Sequence, residues 1–142
     1  MPEMSKEEYR EFLLEGTKTG KLATVRDDGR PHVVPIWFVL DGDDLVFTTH
    51  KSTVKAKNMA RDYRVSISVD DQVPPYSFVT VEGTATFSQD SEELLHWATR
   101  IGGRYMGENQ AEAFGRRNAS EGEIVVKITP SKVIAHKNIT DW

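Results

Sequence analysis

Arg64-Val65-Ser66-Ile67-Ser68-Val69-Asp70 and, after a short interruption, Ser77-Phe78-Val79-Thr80-Val81-Glu82-Gly83-Thr84-Ala85-Thr86-Phe87-Ser88 decide the fold. Val65, Ile67 and Val69 share one face of an extended chain, as do Val79, Val81, Ala85 and Phe87 in the second run. A period of two over runs this long predicts two half-buried strands, at 64–70 and 77–88. Between them Val73-Pro74-Pro75-Tyr76 is a loop, because consecutive prolines offer no N–H groups to a ladder. Gly83 in mid-strand predicts a bulge or a close backbone approach.

The same period extends outward on both sides. Strands are expected at 21–27, 31–40 and 44–49, separated by turns at Asp27-Asp28-Gly29-Arg30 and Asp41-Gly42-Asp43. Residues 123–129 and 132–138 read as two further strands around a Pro130-Ser131 corner. Helices are expected at 6–18, opened by the capping box Ser5-Lys6-Glu7-Glu8, at 53–62 behind Ser52 or Thr53, and at 91–101 behind Asp90 or Ser91. Gly102-Gly103 should end the third, and a fourth short helix should run near 109–117. About seven short strands with three or four helices predict a mainly β, antiparallel barrel or sandwich. There is no βαβ alternation and no Gly-rich dinucleotide fingerprint, which argues against a Rossmann fold.

The 142 residues make one domain, expected to span 1–142, and 38% hydrophobic residues can build its core without a staple. A net charge of −4 argues against general nucleic-acid affinity, which rests on a basic surface. With no cysteine, thiolate nucleophiles, Cys-bound zinc and iron–sulfur clusters are out of reach. The charged start Met-Pro-Glu-Met-Ser-Lys-Glu-Glu leads into no apolar stretch, so a cytoplasmic protein without a membrane span is expected. His32, His50, His96 and His136 show no metal-ligand spacing, so no metal site is expected.

Chemistry concentrates at Thr48-Thr49-His50-Lys51-Ser52-Thr53-Val54-Lys55-Ala56-Lys57-Asn58, where a strand ends and a helix begins. A helix start has unpaired N–H groups and a partial positive charge. Hydroxyls and Lys51, Lys55, Lys57 and Arg61 surround it, which suits a phosphate. A capped surface helix with solvated lysines has the same composition. Pro31-His32-Val33-Val34-Pro35-Ile36-Trp37-Phe38-Val39-Leu40 is apolar on both faces. It is either buried twice or lays one face under a flat ligand, with Trp37 and Phe38 pointing to opposite sides. No self-contained catalytic set is visible, which favours a cofactor that brings its own chemistry.

These segments, together with Gly20-Lys21-Leu22-Ala23-Thr24-Val25 and Val79-Thr80-Val81-Glu82-Gly83, resemble the pyridoxamine 5′-phosphate oxidase-like superfamily of split β-barrel flavin-binding proteins. Within it the chain is most similar to the actinobacterial B group of deazaflavin-dependent oxidoreductases, which use coenzyme F420. The resemblance implies a six- or seven-stranded antiparallel split β-barrel, paired as a homodimer with cofactor sites at the subunit interface. It implies phosphate contacts from Lys55 and Lys57, with Lys51 and Arg61 adding charge and Thr48, Thr49, Ser52 and Asn58 adding hydrogen bonds. His32, Val34, Pro35, Ile36 and Trp37 would lie along the ring, and Tyr76 and Phe78 would close the pocket from the partner chain. Arg104-Tyr105-Met106-Gly107 also matches a family signature, without a role that the sequence explains. The implied activity is hydride transfer from reduced F420 to a conjugated acceptor such as a quinone, a tetrapyrrole or an unsaturated xenobiotic. An FMN-dependent oxidoreductase of the same fold and a non-catalytic flavin- or haem-binding protein remain the alternatives. No residue is singled out as catalytic.

Overall fold

The computed structural model describes residues 2–141. Seven strands, β1 (Gly20–Val25), β2 (Pro31–Ile36), β3 (Val39–Asp41), β4 (Asp44–His50), β5 (Arg64–Asp70), β6 (Phe78–Ser88) and β7 (Glu123–His136), form one antiparallel sheet in the order β2-β1-β5-β6-β7-β4-β3. Four α-helices accompany it: α1 (Lys6–Leu14), α2 (Val54–Arg61), α3 (Ser91–Met106) and α4 (Ala111–Asn118), the last preceded by a 3-10 turn at Glu108–Gln110. The fold is mainly β, as the alternation at β5 and β6 predicts.

The expected strand at 31–40 is two strands. β2 lies at one end of the sheet order and β3 at the other, and only Trp37 and Phe38 separate them. Sequence neighbours at opposite ends of a sheet require it to curl, and the result is a barrel with a slit between β2 and β3. The barrel interior holds Leu22, Phe38, Phe47, Ile67, Val79, Val81 and Val126, all fully buried or nearly so. Phe12 and Leu13 of α1 and Ala56 and Met59 of α2 belong to the same core. A second cluster, Val39, Val46, Leu94, Trp97, Ile101 and Val125, lies between α3 and the outside of β3, β4 and β7. The two-sided apolar character of 31–40 therefore has a local cause at Val39. It has none within the chain at Val33, which is 67% exposed.

The slit is stitched by the signature left unexplained by the sequence. Arg104 donates to three carbonyl oxygens, those of Phe38 (2.6 Å), Leu13 (2.7 Å) and Gly16 (3.1 Å). The Tyr105 hydroxyl accepts from the Phe38 N–H (3.1 Å) and donates to the Lys18 carbonyl (2.8 Å). Both side chains thus tie the Phe38 backbone groups at the break between β2 and β3 to carbonyls at the end of α1 and in the segment that follows it. The cation also sits over the Phe38 ring, 4.8 Å from its centroid.

Other boundaries also differ from those the sequence predicts. α1 ends at Leu14 rather than 18, because Glu15 turns extended and Gly16 takes φ +60°. α3 continues through Gly102-Gly103, which serve packing instead of termination: a Cβ on Gly102 would lie 2.7 Å from the Phe114 Cβ, and one on Gly115 would lie 2.9 Å from the Thr99 Cα. Side-chain-free surfaces let α3 and α4 cross this closely. β7 is continuous through Pro130 because the register slips there. Gly83 faces Pro130 and Glu82 faces Lys132, so Ser131 is the extra residue of a bulge, a place in a sheet where a proline is tolerated.

Candidate functional site

α2 begins where β4 ends. Thr53 caps it, its hydroxyl accepting from the Ala56 N–H and donating to the His50 carbonyl. By helix geometry the Val54 and Lys55 N–H groups then face out of the helix start. Lys51 and Lys57 are exposed around this end and Lys55 is half-buried. Burial pushes the Lys55 ammonium below its ordinary range, and the Glu123 carboxylate partly offsets this. Glu123 lies opposite His50 in the β4–β7 ladder, with one carboxylate oxygen buried and unpartnered. Burial raises its pKa against the pull of His50 and Lys55. Glu123 is a site neighbour that the sequence does not reveal, since its position depends on the β4–β7 register.

Several expected ligand residues hold the scaffold instead. The Asn58 side chain is buried, donating to the Thr24 hydroxyl (3.0 Å) and accepting from Arg61 (3.2 Å). Arg61 also donates to the Val25 carbonyl (2.6 Å). Thr49 shares a hydrogen bond with Thr53 (3.1 Å), and Ser52 bonds to the His50 ring (2.7 Å). Thr48 is half-buried in the ladder opposite Val125. These bonds lock the α2 start to β1 and β4, so the lysines project from a fixed base.

β2 pairs with β1 along its whole length, and His32 faces Thr24, the residue to which Asn58 is bonded. The lysine-bearing helix start and β2 are therefore one strand apart. His32, Val34 and Ile36 occupy one row of β2, and Pro31, Val33 and Pro35 the exposed row. The His32 Nδ1 is buried without a hydrogen-bond partner. Trp37 follows the exposed row and lies flat on Tyr105, ring centroids 5.0 Å apart and planes 2° from parallel. Tyr76 and Phe78 are elsewhere: Phe78 pairs with Asp70 and His136, and β1 and β5 stand between β6 and β2. One copy of the chain does not bring these two residues to the lysines.

A curled antiparallel sheet with a slit between its end strands, and a lysine-bearing helix start beside one of them, is the split-barrel architecture. The chain belongs to the pyridoxamine 5′-phosphate oxidase family, whose profile matches residues 5–137. It is similar to the conserved hypothetical protein Rv2991 of Mycobacterium tuberculosis at 25% identity and a TM-score of 0.84, over 96% of this chain and 87% of that one. It is similar to an F420 reductase at 28% identity and a TM-score of 0.69, over 87% and 94% of the two chains. The haem storage protein HutZ of Vibrio cholerae shares the fold, at 22% identity and a TM-score of 0.72 over 95% and 96%. No helix among the described residues is long and apolar enough to cross a membrane.

Proposed function

We propose that the protein is an F420-dependent reductase that passes a hydride to a conjugated organic acceptor. The observation that carries this reading is the α2 start, where Lys51, Lys55 and Lys57 ring exposed N–H groups one strand away from β2. Lys55 and Lys57 bind the cofactor phosphate, Lys51 attracts its acidic tail, and β2 orients the ring, with Arg61 bracing the helix end from beneath. The orphaned His32 Nδ1 suits a ligand laid along that strand, which would supply its missing partner. The similarity to an F420 reductase supports the choice of cofactor. When bound, the reduced deazaflavin supplies a hydride to an electron-poor carbon, and solvent returns the balancing proton. The chain's own work is to bind, to orient and to keep water from the donor carbon. Tyr76 and Phe78 reach the site from a second copy in a homodimer.

Titration with F420 and with FMN tests this. F420 should bind more tightly, and deuterium on its donor carbon should appear in the product. Each charge-assisted phosphate contact is worth about 1.5–3 kcal/mol, so Lys55→Ala and Lys57→Ala should each weaken binding by roughly ten- to a hundred-fold. Tighter binding of FMN, with equal turnover, would instead make this an FMN oxidoreductase of the same fold. Cofactor binding without turnover of any acceptor would make it a carrier.

A further inference from the structure

Trp37 combines exposure with rigidity in a way that its packing does not require. Tyr105 covers one face of the indole, yet the residue is still 38% exposed, so the open area belongs to the other face and the edge. The backing ring cannot swing away, because its hydroxyl is fixed by the Phe38 N–H and the Lys18 carbonyl. Phe114 from α4 stands at the edge of the indole, centroids 6.5 Å apart and tilted by 53°. The exposed Arg117 guanidinium lies 5.7 Å from the Phe114 ring. A pre-braced aromatic plane stacks flat molecules without losing side-chain entropy on binding. The cation beside Phe114 favours negative charge. Trp37 also directly continues β2, so a molecule on the indole lies at the end of the strand assigned to the cofactor ring.

We propose that the open face of Trp37, with Phe114 and Arg117 beside it, is the docking shelf for the hydride acceptor, and that this acceptor is a flat conjugated molecule bearing a carboxylate. The proposal rests on the reductase reading for the word acceptor, but the shelf can be tested without the cofactor.

The probe is anthraquinone-2-carboxylate, titrated into the full chain with and without F420 while tryptophan emission is followed. The titration uses protein carrying Trp142→Phe, which leaves two of the three tryptophans. Saturable quenching is expected in both cases, and adding Trp37→Phe should abolish it, since Trp97 is buried elsewhere against the sheet. Arg117→Ala should weaken the carboxylate probe by roughly two- to five-fold, an exposed ion-pair effect, and leave neutral anthraquinone unchanged. F420 affinity should be the same in Arg117→Ala as in the wild type, which separates a failed shelf from a failed cofactor assignment. Quenching that survives Trp37→Phe in the Trp142→Phe protein overturns the proposal. So does an indole shielded from acrylamide in the intact protein and opened only by dilution, because the occupant would then be a second copy of the chain.

Discussion

Tyr105→Phe removes a single oxygen from the slit and leaves the ring, so it isolates what the hydroxyl contributes. In the wild type that oxygen serves the N–H of fully buried Phe38 and the half-buried Lys18 carbonyl. Deleting it orphans both groups. A buried polar group left unmade costs about 1–3 kcal/mol, with the lower end applying where water can return. The Phe38 N–H has little access to water and should cost near the middle of that range. Lys18 is partly solvated and should cost little. The stack on Trp37 survives in the variant, so no cavity term is added. The expected loss is therefore about 2 kcal/mol. For a domain of this size that corresponds to a fall in Tm on the order of 5–8 °C. Urea unfolding followed by far-UV circular dichroism, with the slope unchanged, reads the loss directly. A loss below about 0.5 kcal/mol would refute the reasoning, since it would mean that the slit relaxes or hydrates freely without its stitch.

Two further outcomes follow from geometry and charge. Gly115→Ala should destabilise by about 1–3 kcal/mol, since its methyl would meet the Thr99 Cα at 2.9 Å and overpacking of this kind forces a backbone shift; differential scanning calorimetry measures it. Asp62 is held at a pKa of about 2, below its ordinary 3.8, chiefly by side-chain hydrogen bonding to Arg64 and then by the Arg64 N–H. A carboxylate depressed in the folded state adds stability that is present above pH 4 and lost as the pH falls toward 2. Asp62→Asn should thus be less stable than the wild type at neutral pH, and urea midpoints measured from pH 6 down to 2 should converge.

How much of this was legible beforehand depended on how local each cause is. The alternation at β5 and β6, the capping box at Ser5 and the cap at Thr53, one of the two residues the sequence offered, are set by residues a few positions apart and form as expected, except that Phe87 near the end of β6 is exposed rather than buried with Val79, Val81 and Ala85. The break at Trp37-Phe38 is not local: nothing in a run of apolar residues shows that its halves pair with β1 and β4 at opposite ends of a sheet. Gly102-Gly103 misled for the same reason, because a glycine pair reads as a stop until the helix that crosses it is known. At the candidate site the lysines were legible as charge at a helix start. That Asn58 and Arg61 face β1, and that Glu123 stands beside Lys55, depends on tertiary register that the sequence leaves open.

β2 has one further property that matters when the protein is concentrated. Along an edge strand alternate residues direct their backbone groups toward the neighbour and away from it. Prolines cannot donate to β1, so in β2 the outward row is 31, 33 and 35, and two of its three positions are Pro31 and Pro35. Only Val33 retains an outward amide hydrogen. A foreign strand seeking to extend the sheet would find a single donor where it needs three, so this edge resists fibril-like growth even though its side chains are apolar and uncovered.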